Sequence, residues 1–532
     1  MIRYKISMLA IVLTGLVTAS CFNDLNTEPL NKRVSTSSSV FKDPASYKEF
    51  LAKLYGSLTL TGQRGKYGQP EIPNSDEGET SFMRMYWSAQ EIPTDECMGA
   101  WANTGVIELR SANWSEQNPY NQLLYQRIFI NIAYCNEYIR EVSSRVDGLA
   151  TDVKNDVQLY LLEARFLRAL YYYYAMDLWG NVPFATEDDA IGAFLPKRIL
   201  RADLFTYIEG ELKAIESQMA APGSNEYARA DQAAAWMLLA RLYLNAKVYT
   251  GTERNTDCIT YCNKITSSNA FSLHTNYDEL FLADNDRLRN EIILPIAEDG
   301  AATQNYGGVT FIIHAAVGTD AAMNPAPFGI GGGWAGNRFR NSFVQKFTDI
   351  TGNTDTRANF FTTDRTAEIT SENEFTQGYA CTKYKNVTST GAPGHDADKI
   401  FVDTDFPLFR LPEVYLMYAE AVKRGGQGGD IATAVNYINA LRVRAYGDTS
   451  GNITAGDLDL SFILDERARE LYWEAHRRTD LIRYDLFAGN TYLWDWKGGA
   501  KAGKSVDAHF NLFPIPATDL AINTNLKQND GY

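Results

Sequence analysis

The stretch Pro412-Glu413-Val414-Tyr415-Leu416-Met417-Tyr418-Ala419-Glu420-Ala421-Val422-Lys423 is followed by Gly425-Gly426-Gln427-Gly428-Gly429 and then by Asp430 to Arg444. Tyr415, Ala419, Ala434, Ile438 and Leu441 recur at helical spacing on either side of the glycines. A helix, a Gly-rich turn and a second helix with small residues where the two cross is the logic of tetratricopeptide repeats. Two further stretches read the same way. Val153, Val157, Tyr160, Leu161, Ala164, Leu167, Tyr171, Tyr174, Ala175 and Leu178 mark one long amphipathic helix that Gly180 and Pro183 bring to an end. Ala233 to Tyr249 predicts another, with small Ala235 and Ala240, followed by a helix from about Thr256 to Ile265. No strict period is visible, so the repeats are degenerate and split by insertions. The fold class is mainly α: a tetratricopeptide scaffold in which each helix pair buries the face its neighbour leaves open. Residues 59–118, 298–340 and 353–405 carry little periodicity and are rich in Gly, Asn, Thr and Pro, so they read as ordered functional loops.

The chain has 532 residues, with 50 Lys and Arg against 65 Asp and Glu, a net charge of −15. That balance excludes wrapping nucleic acid by phosphate neutralisation and excludes a polybasic membrane surface. Aromatic residues make up 12%, enough to furnish both a core and stacking platforms for flat ligands.

The N-terminus sets the compartment. Arg3 and Lys5 precede the apolar run Met8 to Leu13, and Thr18-Ala19-Ser20-Cys21 follows. The order is that of a secretory signal, and its apolar run is too short to span a bilayer. Small residues before Cys21 resemble a bacterial lipobox, although Thr18 stands where Leu is usual. The reading is a lipoprotein signal over 1–20, acylation of Cys21, a polar tether over 21–40 and one domain over 41–532. A plainly cleaved signal with an incidental cysteine is the alternative. Cys97, Cys135, Cys258, Cys262 and Cys381 form no CxxC pair and read as free, buried thiols.

Several constellations carry candidate chemistry. Asp465 to Arg483 reads as the most charged helix, with Glu466, Glu470 and Glu474 at steps of four. Paired carboxylates would serve glycoside hydrolysis, but the interleaved arginines favour an ion-pair network that keeps them ionised. No HExxH, G-x-S-x-G or phosphate-binding glycine loop is present. Asp284-Asn285-Asp286 and Asp403-Thr404-Asp405 gather oxygens of the kind calcium prefers, or else cap turns. Asp76, Arg84, Trp101 and Asn103 crowd one loop region, and Gly-flanked Tyr306 and Trp334 lie in another. Rings offer platforms for the CH faces of sugars, with carboxylate, Arg and Asn meeting the hydroxyls; core packing is the competing role for each ring.

Glu163 to Tyr172 with Trp179-Gly180-Asn181-Val182-Pro183-Phe184, the Glu466 to Arg483 segment, Phe513-Pro514-Ile515-Pro516 and Gln528-Asn529-Asp530-Gly531-Tyr532 resemble the signature of the SusD/RagB family. Thr61-Gly62-Gln63, Asp76 to Glu79, Pro93 to Cys97, Asn305 to Gly308 and Tyr492 to Gly499 are similar to segments of its starch-binding members. The resemblance implies an outer-membrane, surface-exposed lipoprotein on a tetratricopeptide scaffold. Such proteins bind glycan and lid a TonB-dependent transporter of the SusC type, without catalysis. It implies an arc of aromatics for a curved α-glucan, two of them matched by Tyr306 and Trp334. Polar contacts are matched by Asp76 and Arg84, and an Asn contact falls at Asn103 or Thr104. The third arc position falls on Gly99, with Trp101 two residues on. It also implies a structural calcium ion on Asp286, Asp403 and Asp405. The expected function is capture of a starch-like or related glucose polymer for the transporter. The alternatives are another glycan or a peptide nutrient in the same role, or a glycosidase using Glu470 and Glu474.

Overall fold

The predicted long helix is present as Thr151–Trp179, and Gly180 closes it at φ 70°, a conformation open to glycine at little cost. The structure, a computed structural model, describes residues 40–63, 70–190, 192 and 194–532. The signal segment, Cys21 and all of the tether but its last residue lie outside these. The chain divides into units 1–47 and 48–532, and the second holds the helical body.

Within that body successive helices pack as neighbours. Pro119–Ser143 lies against Thr151–Trp179, which in turn meets Arg201–Ile215. Gln232–Leu244 packs on Asn255–Ser267, and the latter on Leu411–Lys423. Leu411–Lys423 then packs on Ile431–Tyr446 and on Leu460–Leu471. Asp430 caps the second member of the Gly-rich pair, its carboxylate accepting from the Thr433 amide at 2.8 Å. The core runs along these contacts: Tyr171, Tyr172, Tyr173 and Tyr174 are all buried, so this tyrosine run is architecture. All five described cysteines are free and buried, as expected.

Three readings are corrected. The segment Ala233 to Tyr249 is two helices, Gln232–Leu244 and Ala246–Thr250, broken at Asn245. The charged segment is also two, Leu460–Leu471 and Arg477–Arg483, because Trp473 and Ala475 both sit at φ 61° and turn the chain. The loop regions 59–118 and 298–340 contain the helices Phe82–Glu91, Thr104–Arg110 and Gly308–Ala316. Every residue of Phe82–Glu91 and of Gly308–Ala316 is buried, so neither shows the one-sided stripe that betrays a surface helix.

Two short antiparallel strand pairs join the loops to the scaffold. Cys97–Gly99 pairs with Asn337–Phe339, Gly99 opposite Asn337. Ile292–Ile296 pairs with Phe406–Arg410, Ile296 opposite Phe406. The first brings the Trp101 loop beside the Trp334 loop. The second brings Glu298 beside Asp403 and Asp405.

Candidate functional site

The first strand pair continues past its ends. The Ala100 amide donates to Gly336 O at 2.6 Å, and Trp101 Nε1 donates to Trp334 O at 3.1 Å. Arginines clamp the strand from behind: Arg110 Nη1 donates to Gly99 O at 3.0 Å, Arg338 Nη1 to Met98 O at 3.1 Å and Arg340 Nε to Cys97 O at 2.9 Å. Trp334 is half-buried, and its ring stacks on His314 at 4.7 Å and 23°. His314 is fixed in turn, with Nδ1 2.6 Å from Gly332 O and Nε2 2.7 Å from Ile400 O. Burial lowers its pKa, and the two carbonyls oppose that.

Tyr306 stands 6.4 Å from Trp334, centroid to centroid, with the ring planes inclined at 49°. Phe401 supports it from 5.2 Å. Its loop has almost no slack. A Cβ on Gly78 would lie 2.4 Å from Tyr306 O, one on Gly307 2.2 Å from Ser81 Cβ, and one on Gly308 2.0 Å from Glu298 Oε1. Gly308 is also at φ 57°. These glycines let the turn pass between the Glu77–Thr80 turn and buried Glu298.

A polar ribbon ties the remaining residues together. Arg84 Nη2 pairs with Asp76 Oδ2 at 3.0 Å and lies 3.6 Å from Glu79. Arg84 Nη1 donates to Tyr306 O at 3.3 Å, and the guanidinium lies 4.8 Å over Phe311. Tyr120 OH donates to Glu79 Oε1 at 3.0 Å, and Asn103 Nδ2 to Tyr120 OH at 3.4 Å. The Arg84 side chain is only 6% exposed, whereas that of Asp76 is 45% exposed. Asp76 and exposed Asn103 therefore face outward, while Arg84 is chiefly the strut between Asp76 and the Tyr306 peptide. Beside them Glu77 has its carboxyl raised to about 7 by burial, aided by Asp76 and opposed by the Tyr306 amide.

Trp101 is half-buried. It rests against Gly336, where a Cβ would come within 2.3 Å of its ring, and lies 6.0 Å from Phe311. Gly99 is buried, and its Cβ direction runs into Val106 Cγ1 at 2.5 Å. A ring there would enter the packing between Ile92 and Val106 rather than join Tyr306. The structure thus brings Asp76, Arg84, Tyr306, Trp334, Trp101 and Asn103 into one region. His314, Phe311 and Tyr120, which hold them, carry no signal in the sequence, because nothing local distinguishes a supporting ring from any other.

The acidic loops meet at the second strand pair. Asp403 accepts from the Gly300 amide at 2.9 Å and the His395 amide at 2.6 Å. Asp405 accepts from the Glu298 amide at 2.7 Å and from Tyr227 OH. Burial, with Asp286 and Asp403 nearby, raises the Asp405 carboxyl to about 7. Among the described residues, ligand atoms of Asp299, His395 and Asp403 lie within 4.8 Å of one another, a set that omits exposed Asp286 and buried Asp405.

Glu470 and Glu474 sit elsewhere and are fully buried. Arg410 donates to Glu470 Oε1 and to Glu474 Oε2 at 2.6 Å each, and Lys383 Nζ reaches Glu474 at 2.7 Å. Burial opposes ionisation of Glu470, but Arg444, Arg410 and Arg357 more than offset it and hold the carboxyl at about 2. A glycosidase acid needs the reverse. The break at Trp473 takes Glu474 off the helix, and the ion network favoured from the arginine spacing is what forms.

Comparison with known proteins agrees with this architecture. The profile described as "SusD family" matches residues 334–532, and that described as "Starch-binding associating with outer membrane" matches residues 33–244. Starch-binding protein SusD of Bacteroides thetaiotaomicron is 36% identical, over 99% of this chain and 98% of its own. SusD-like protein P25 of Formosa agariphila is 26% identical over 72% of this chain and 74% of its own. Among solved structures, a SusD homolog from Bacteroides thetaiotaomicron aligns with TM-score 0.72 and 18% identity, covering 93% of this chain and 98% of that one. Surface glycan-binding protein A of the same organism, in complex with laminarihexaose, aligns with TM-score 0.68 and 18% identity, covering 91% and 99%. The chain belongs to the SusD family.

Proposed function

We propose that this protein captures an α-glucan at the cell surface and hands it to a SusC-type TonB-dependent transporter, without cleaving it. The observation that carries the reading is the pair of rings Tyr306 and Trp334, 6.4 Å apart and inclined at 49°. Two inclined rings form an open V, the shape that meets a curved chain of glucose units face by face. Asp76 and Asn103 reach the hydroxyls, Arg84 holds Asp76 and the Tyr306 peptide, and Trp101 extends the apolar rim. The starch-binding relative at 36% identity supports a glucose polymer as ligand. Cys21 anchors the protein to the outer membrane through its acyl chains.

A structural calcium ion at the acidic junction would need Asp286 and Asp405 to close on Asp403, since the ligand atoms already gathered there are those of Asp299, His395 and Asp403. Among the described residues no Lys or Arg pairs with Asp286, Asp403 or Asp405, and two of these are buried. Calcium, when bound, supplies the missing positive charge and ties the Asp403-Thr404-Asp405 loop to the Asp286 turn.

The test is affinity electrophoresis through starch, pullulan and dextran. Trp334→Ala should migrate unretarded while keeping its circular dichroism spectrum. Unchanged retardation of that variant would sink the two-ring site. No retardation of the wild type by any α-glucan would sink the ligand class while leaving the family intact. Cys21→Ala should move the protein from the membrane to the soluble fraction.

A further inference from the structure

A polar cleft of about 630 Å3 opens where the start of helix Arg201–Ile215, the end of helix Ala246–Thr250 and the C-terminal segment meet. In a chain of net charge −15 its wall is cationic, carrying Arg198, Arg201, Lys247, Arg483 and Lys527. The two acids that share it, Asp485 and Asp530, are exposed. Arg483 is spoken for by Glu420 and Asp480. Arg201 is not: Nε, Nη1 and Nη2 donate to the carbonyls of Met176, Val248 and Asp177 at 3.1, 3.2 and 3.3 Å, and no carboxylate among the described residues pairs with it. Arg198 has no ion pair among the described residues either, and its Nε is buried without an acceptor. Lys247 pairs with Glu253 at 2.9 Å on an exposed surface, and among the described residues Lys527 reaches only Asp530, at 3.9 Å. Such pairs are worth little and redirect readily.

We infer that this cleft is a second ligand site, for a small molecule bearing a phosphate or sulfate ester. Guanidinium groups with spare N–H donors match the oxygens of a tetrahedral oxyanion, and half-buried arginines without a paired carboxylate are what such an ester neutralises. The volume suits a monosaccharide-sized ligand. The site stands apart from the ring pair and does not depend on it.

Isothermal titration of the full chain with glucose 6-phosphate, glucose 6-sulfate and glucose, at low salt, tests this. The expected result is saturable binding of at least one ester, none of glucose, and weakening by about tenfold in Arg198→Gln, the worth of one charge-assisted hydrogen bond. Glucan retardation of that variant should stay unchanged. Lys247→Gln, on an exposed side chain, should also weaken the ester, and it keeps the test open if Arg198→Gln does not fold. Which ester binds identifies its source. No heat from either ester, equal heat from glucose, or wild-type affinity in both variants overturns the assignment.

Discussion

Replacing Gly78 by Ala tests whether the Tyr306 platform is held by its neighbours. The new Cβ would lie 2.4 Å from Tyr306 O, 2.5 Å from its carbonyl carbon and 2.8 Å from Arg84 Nη1. Ordinary contact begins at 3.4 Å, so the Tyr306 peptide must retreat by 3.4 − 2.4 = 1.0 Å. The two nearest atoms are backbone, which no rotamer change relieves. Retreat is blocked by Ser81 behind Gly307 and Glu298 behind Gly308. Overpacking of this kind costs about 1–3 kcal/mol of stability. A ring displaced by about 1 Å forfeits up to about 1 kcal/mol of ligand contact, or about fivefold in affinity. Calorimetric titration with a maltooligosaccharide, beside a thermal melt, reads both effects. Gly210→Ala is the control: nothing lies within 4 Å of its Cβ, and it sits inside helix Arg201–Ile215. It should gain about 0.5–1 kcal/mol of stability with unaltered binding. If Gly78→Ala melts and binds like the wild type, the wedged-loop argument fails.

Glu470→Gln should destabilise the fold by about 3–5 kcal/mol, because it strips a carboxylate from Arg410, Arg444 and Arg357 in a buried site; a melt at neutral pH measures it, and an unchanged melting temperature refutes the network. Gly99→Trp should lower stability without improving glucan affinity, since its Cβ meets Val106 at 2.5 Å; a gain in retardation would show that the ring turns outward. Burial raises Glu77 to about 7 and Glu298 to about 8. Raised carboxyls bind protons more tightly in the folded state, so without metal stability should fall as pH climbs from about 5 to 8, each group contributing at most about 1.4 kcal/mol for every pH unit. Melting temperatures that rise across that window would contradict it. Chelator should lower the melting temperature and calcium restore it; indifference to both removes the ion from the Asp403–Asp405 junction.

The helix Thr151–Trp179 and the Gly-rich pair are legible in the sequence because each keeps an apolar stripe and ends on glycine. Pro119–Ser143 is not: buried Asn121, Arg127, Asn131 and Asn136 interrupt its apolar face. These buried polar groups find their partners on other elements, as Arg127 Nε does on Thr80 O at 2.7 Å. The kink at Trp473 and Ala475 is illegible because neither residue favours positive φ, and surrounding contacts impose it: the Trp473 and Ala475 amides donate to Glu96 and Glu91. At the site, glycines beside Tyr306 and Trp334 mark two rings that the structure brings within 6.4 Å of one another. That Arg84 is a buried strut depends on how its helix meets the Tyr306 loop, and that Gly99 faces inward depends on register across the strand pair; one sequence displays neither.

The wedge around Tyr306 has a kinetic meaning. A turn with no room for a methyl group leaves the Tyr306 backbone little freedom, so a sugar bound as proposed would meet the ring's attachment already in place. Little ordering entropy is then lost on binding, and encounter should proceed in one step at a rate set by diffusion and orientation. A fixed V also cannot re-form around a straight chain. Selection among glucans then falls on the curvature each polymer brings with it, and a pre-bent cyclic oligosaccharide should outcompete a linear one of equal length.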